Sequence, residues 1–242
     1  MARYPIQALG ILIFATCRTL ASGVGARQED DRVVIVSYSR GFVFVSNPKA
    51  ASTSIESVLE VFQERPDLNA RKRPGFYTAR HMPATEIREN LGQSVWDGLF
   101  TFGVVRHPHD WFVSQLTYNY RRLSRPVPHD RRITGRDVWQ VHSLLTDRRG
   151  QPASASASQW AFLCSASQQP LVGHLTTLDD LDDTWAELTR LTGTVVPRPA
   201  RLNRTRHPAW NDWLDPGACK VIEDVWEPDF ALYRQAATKP SL

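Results

Sequence analysis

Lysine is nearly missing from this chain: its 29 basic residues are 25 Arg and only 4 Lys. Such an Arg excess follows base composition as readily as function, so no nucleic-acid surface is read from it. Against that background a Lys in a loop stands out. Cysteine is equally sparse. The three thiols, Cys17, Cys164 and Cys219, are odd in number, far apart and without any C-x-x-C pair. That argues against a disulfide framework or a structural zinc site and leaves them as buried or incidental thiols. Long apolar runs are also scarce. The run PIQALGILIFATC, residues 5–17, falls short of the roughly 20 residues that span a bilayer. It reads as a core helix or as residues upstream of the true start. With Ala21, Ser22 and Gly23 behind it, a weak signal or anchor is a further reading. The non-membrane readings rank first, so the expected location is cytoplasmic. A membrane-anchored or secretory location through residues 5–17 is the alternative, and only that segment could support membrane association. The sequon Asn203-Arg204-Thr205 matters only in the secretory case.

What remains is ordinary for a folded domain. The 242 residues are 42% hydrophobic, enough for a real core, and the net charge of +4 suits an anionic ligand without naming one. Residues 1–30 form an apolar N-terminal segment without an assigned role, and 31–242 read as a single domain. RVVIVSY (Arg32 to Tyr38) and GFVFVS (Gly41 to Ser46) predict two short strands rich in β-branched and aromatic residues. Ile55, Val58, Leu59 and Phe62 then line one face of a helix. LFTFGVV (Leu99 to Val105) is an unbroken apolar run, as expected of a strand covered on both faces. A helix follows from Pro108 to about Arg122. The Arg-rich stretch from Arg121 to Ser158 predicts a loop region with a short helix over Asp137 to Leu145. A fourth strand is expected over Leu171 to Thr176. The helix after it carries Leu181, Trp185, Leu188 and Leu191, with Gly193 as its C-terminal cap. Asp179, Asp180, Asp182 and Asp183 crowd its start, where the helix dipole explains acidic residues better than a metal does. A last helix is expected from Asp215-Pro216 past Trp226. Strands alternating with helices predict an α/β fold, a three-layer sandwich with a mainly parallel central sheet.

The most informative segment is FVFVSNPKAASTSIESVLE, Phe42 to Glu60. A buried strand runs into a tight loop and the loop into a helix. The ends of parallel strands are where ligands sit in such sheets. Ala50 and Ala51 are small enough for a ligand to approach the backbone. Ser52, Thr53 and Ser54 supply hydroxyls and the amides of a helix N-terminus, and Lys49 supplies a full positive charge. Thr53-x-x-Glu56 fits a capping box that would mark the helix start. Together these residues make an anion cradle. The pattern differs from the common G-x-x-x-x-G-K-S/T loop, because the Lys comes first and Gly is missing. An ordinary capped helix is the plainer alternative.

A second strand-to-helix junction reads FGVVRHPHDWFVSQLTYNY, Phe102 to Tyr120. Arg106 ends the strand, and Ser114 lies eight residues on, along the helix. Arg suits a phosphate through two parallel hydrogen bonds. Taken together, N-P-K-A-A-S-T-S and the later R-H-P-x5-S resemble the sulfotransferases that use 3′-phosphoadenosine-5′-phosphosulfate (PAPS). The likeness is to the family 2 carbohydrate sulfotransferases, of the heparan sulfate 2-O-sulfotransferase type and its bacterial relatives. It covers most of residues 40–235 and is looser in the second half. It implies a P-loop-like nucleotide-binding fold and transfer of a sulfuryl group from PAPS to an acceptor hydroxyl. It further implies that Lys49, Ala50, Ala51, Ser52, Thr53 and Ser54 hold the 5′ end, while Arg106 and Ser114 hold the 3′-phosphate. Gln159-Trp160-x-Phe162-Leu163 resembles an acceptor-side or packing segment. Leu202-Asn203-Arg204-Thr205 resembles a loop that closes over the cofactor, and from it only Thr205 is carried over. His107-Pro108-His109 departs from relatives that carry Asn and Trp around the Pro.

Of the seven histidines, His81 has the most suggestive setting, in Ala79-Arg80-His81-Met82-Pro83 between the two phosphate elements. It resembles the family's histidine near the transferring group, which implies a general base, and Lys49 is expected to share in catalysis. His107, beside Arg106, is the runner-up. The implied co-substrate is PAPS, with no metal required. The implied partner is a hydroxyl-bearing acceptor, a glycan by resemblance, with no nucleic acid. Two other functions compete. One is a P-loop-like small-molecule kinase, with Asp179 or Asp180 as its magnesium partner. The other is a catalytically inactive nucleotide-binding protein.

Overall fold

The computed structural model describes residues 34–69, 81–122, 124, 126–145, 157–167, 169–200 and 207–238. Thr205, the sequon and the N-terminal apolar segment lie outside them. Among the described residues the sheet has four strands in the order β1-β2-β3-β4. Strand β1 (Val34–Ser37) pairs antiparallel with β2 (Phe42–Val45) through a tight turn in which Gly41 takes φ of 71°. Strands β3 (Phe100–Val105) and β4 (His174–Thr177) continue the sheet in parallel. The expected mainly parallel α/β sheet is therefore present.

Both faces are covered. Val34, Val36, Val43, Val45, Val105 and Leu175 pack with Met82, Ile87 and Phe162. Ile35, Phe42, Phe44, Phe102 and Val104 pack with Ile55, Leu59, Trp185 and Leu188. This alternation is the period of two expected of a pleated strand, and here each parity faces a helical layer. A third cluster, Trp111, Phe112, Leu116, Val138, Ile222 and Trp226, joins helices beyond the sheet.

The helices are α1 (Ser52–Leu59), α2 (Ala84–Leu91), α3 (Gln93–Asp97), α4 (Pro108–Arg122), α5 (Gly135–Leu145), α6 (Gln159–Leu163), α7 (Asp182–Thr192), α8 (Trp210–Trp213), α9 (Pro216–Val225) and α10 (Glu227–Ala237). Helix α4 has the expected span, and Gly193 caps α7 with φ of 68°. Asp182 and Asp183 fall in the first turn of α7, as the dipole argument requires. Helix α5 begins two residues before Asp137, whose carboxylate caps it by accepting from the Thr134 amide at 2.9 Å.

Three expectations shift. The fourth strand starts at His174 instead of Leu171, because the Leu171 amide donates to the Leu163 carbonyl (2.9 Å) and so turns away from the sheet. The last helix breaks at Trp226 into α9 and α10. Pro228 explains the break, since its ring cannot follow a helical carbonyl four residues back. The capping box is not formed either. The residue before α1 is Ala51, with no side-chain cap, and Glu56 is buried and accepts from the Ser46 hydroxyl. No helix among the described residues is long and apolar enough to cross a membrane.

Candidate anion site at the ends of two parallel strands

Strand β2 ends at Val45 and the chain turns through Ser46 to Ala51 into α1. Two residues of this turn are left-handed without being Gly: Lys49 at φ 64° and Ala51 at φ 59°. Each such conformation costs an L-residue about 1–2 kcal/mol, and strain of this kind gathers at functional sites. Ala50 is fully buried against Ile55 and Leu59, so its small size serves core packing at least as much as ligand approach. The amides of Ser54 and Ile55 both close on the Ala51 carbonyl, at 2.9 and 3.1 Å. Amides for an anion must therefore come from upstream of Ser54. The hydroxyl-bearing residues Ser52 and Ser54 are nearly buried, and Thr53 is half-buried.

Helix α4 grips this loop. Trp111 Nε1 donates to the Pro48 carbonyl at 3.1 Å. The Lys49 ammonium sits 3.3 Å from the centre of the Tyr118 ring, a cation–π contact. Trp111, Ser114 and Tyr118 are spaced i, i+3, i+7 and so share one helical face. Ser114 thus lies on the α4 face that meets the Lys49 loop. The same helix follows directly on Arg106. Loop and Arg106 are also joined through side chains. Asn47 Nδ2 donates to the Val104 carbonyl (2.9 Å) and to Gln159 Oε1 (3.2 Å), and the Arg106 amide donates to that same Oε1 (2.9 Å). Lys49 and the Arg106–Ser114 junction, which the sequence leaves far apart, therefore gather at one end of the sheet.

Arg106 is mostly buried, which pulls its pKa down. Asp110, 4.0 Å from Nη2, and Asp179 act in the other direction. A desolvated guanidinium with weak carboxylate pairing is suited to an incoming dianion that replaces the lost hydration.

His81 comes to the same end. Its Nδ1 lies 2.8 Å from the Ser46 carbonyl, so Nδ1 carries the hydrogen and donates it. In the neutral ring Nε2 then keeps a lone pair and can accept a proton. Ser46 is itself held by the buried Glu56, and the ring is flanked edge-on by Phe162 at 6.3 Å. A base oriented by a second group, which a third group orients in turn, is a recurrent catalytic arrangement.

His107 is placed differently. Its ring stacks on Trp210 at 5.5 Å, with Phe230 and Tyr233 edge-on, and burial lowers its pKa. That is the setting of a packed aromatic, so His81 has the better geometry for a base. Cys164 and Cys219 are free thiols, and burial pushes Cys164 up to about 12. Among the described residues no group of three or more potential metal ligands gathers.

No sequence motif assigns Asn47, Trp111, Tyr118 and Gln159 this supporting role. Spacing along α4 carried a signal for Trp111 and Tyr118. Gln159 meets Arg106 across a separation of 53 residues, for which no local pattern exists. The chain matches no protein-family model, no curated protein and no solved structure.

Proposed function

We infer that the chain is a PAPS-dependent sulfotransferase built on a P-loop-like nucleotide fold, acting on an acceptor hydroxyl, a glycan by the resemblance of its motifs. One observation carries this reading. The Lys49 loop, at the end of one parallel strand, is gripped by the helix that follows directly on Arg106 at the end of the next, and the loop-facing side of that helix bears Ser114. Two cationic arms at one end of the sheet suit a nucleotide anionic at both its 3′ and 5′ ends.

In the proposed reaction the acceptor oxygen attacks sulfur. The bond from sulfur to the bridging phosphate oxygen breaks, and its electron pair leaves with the 5′-phosphate. His81 Nε2 takes the acceptor proton. Lys49 offsets the charge that grows on the departing oxygen. The products are a sulfate ester and 3′-phosphoadenosine-5′-phosphate (PAP). The protein's share is positioning and electrostatic stabilisation.

A kinase reading has one observation in its favour: Asp179 follows β4 and lies within electrostatic reach of Arg106. Thermal shift separates the two. The sulfotransferase reading expects PAP to raise the unfolding temperature and ATP with magnesium to do so much less. The reverse order supports the kinase. If PAP binds and label from ³⁵S-PAPS reaches none of a panel of glycan, phenol and lipid acceptors, the inactive nucleotide binder is favoured.

A further inference from the structure

We propose that Gln159 is the positioning residue that sets the spacing between the two anion-binding arms, with Asp229 and Gly103 holding it in place; the inference rests on the nucleotide reading above. Backbone pairing between β2 and β3 ends at Val45 and Gly103. Beyond that point the chains diverge, one into the Lys49 loop and the other through Arg106 into α4. The ladder is continued by side chains. Asn47 Nδ2 reaches the Val104 carbonyl at 2.9 Å, and the Gln159 amide pairs with both backbone groups of Arg106. Gln159 Oε1 accepts from the Arg106 amide at 2.9 Å, and Nε2 donates to the Arg106 carbonyl at 2.8 Å. The same Oε1 accepts from Asn47 Nδ2 at 3.2 Å. One fully buried carboxamide therefore touches the first residues of both arms.

Gln159 has little freedom of its own. It opens the five-residue helix α6, whose start is fastened to α10. The buried Asp229 carboxylate accepts from the Ser158 hydroxyl (2.6 Å), the Gln159 amide (3.0 Å) and the Trp160 amide (2.8 Å). From below, α6 presses on β3 where the strand has no side chain. A Cβ on Gly103 would meet Leu163 Cδ2 at 2.7 Å. Removing the Gln159 carboxamide strands the buried Arg106 amide and loosens Asn47, so the arms lose a common ruler while each keeps its own charges. Arm spacing matters to a ligand that bridges the arms and little to one that occupies a single arm.

The experiment is calorimetric binding of PAP, anionic at both ends, and of AMP, anionic at the 5′ end alone, to the full chain. In Gln159→Met, PAP affinity is expected to fall by roughly tenfold. AMP affinity should change by less than about threefold, so PAP loses its advantage. Gln159→Asn keeps the uncharged carboxamide on a side chain one methylene shorter, too short to pair with Arg106 and Asn47 together. It should also cut the PAP advantage, and it serves as the readout if the Met variant does not fold. Parallel losses for PAP and AMP in the folded variant, or an unchanged ratio in both, mean Gln159 is merely structural and overturn the proposal. A parent protein that binds PAP no better than AMP overturns the nucleotide reading itself, and the Gln159 role falls with it.

Discussion

The two arms of the site are built in opposite ways. The Arg106 arm is regular structure: an apolar strand, a Pro108 start and a helix over Pro108–Arg122, with no left-handed residue. The Lys49 arm is strained, with two left-handed non-Gly residues, and is held in shape by partners distant in sequence. The backbone shape of the first arm comes from local chain geometry, and Gln159 braces it at Arg106 from 53 residues away. Position in the second comes from tertiary contacts that over-determine an unfavourable backbone.

The sharpest break of this comparison is catalytic. His81 leans on the strained arm through the Ser46 carbonyl, whereas His107 on the regular arm is packed against Trp210. His81→Ala should lower single-turnover sulfuryl transfer by roughly 10²–10⁴-fold while leaving PAPS affinity near the parental value. Parental rates in the variant would remove His81 from the chemistry. Lys49→Ala, at the crown of the same arm, should reduce turnover at saturating PAPS with little change in unfolding midpoint, because loop cations contribute little to folding. Equal turnover in variant and parent would take Lys49 out of the mechanism.

The contrast also explains what could be read from sequence. Helix α4 was visible in full because Pro108 and the apolar spacing of Trp111, Phe112 and Leu116 are local signals. The anion loop was visible as a motif, but its geometry was not. Thr53 and Glu56 looked like a capping box. Yet Glu56 is buried and accepts from the Ser46 hydroxyl, and Ala51 takes the cap position. The brace from Gln159 had no sequence signature, since it depends on α6 docking against β3 at Gly103. The break at Trp226 was legible in principle from Pro228.

A smaller effect separates the aromatic cluster beside the regular arm from the rest. Burial holds His107 and His109 below the ordinary imidazole range; facing His109 are His107, Asp110 and Glu223, the last 3.8 Å away. A depressed imidazole means the unfolded chain binds protons that the folded chain refuses. Stability is thus full above about pH 6.5 and falls as pH drops through the lowered folded values. Asp229, raised to about 6 by burial, has the opposite slope and loses stability as pH rises through that value. In thermal melts between pH 5 and 7, His109→Phe should flatten the acid-side loss. An unchanged slope would clear His109 of it.

The smallest expected effect tests the strain directly. Ala51→Gly relieves a left-handed backbone and should stabilise the chain by up to about 1 kcal/mol after the added chain entropy is subtracted. A Gly placed in the middle of α4 should instead cost about 1 kcal/mol. Denaturant unfolding that shows loss at both sites would mean that the left-handed turn carries no strain.

The claim that the two arms hold opposite ends of one nucleotide is tested most directly by calorimetry with PAPS and adenosine 5′-phosphosulfate, which differ only in the 3′-phosphate. The parent should prefer PAPS by roughly ten- to a hundredfold, the worth of a charge-assisted contact. Arg106→Ala should erase that preference and leave affinity for adenosine 5′-phosphosulfate unchanged. Equal affinities in the parent, or an equal loss for both ligands in the variant, would contradict the account.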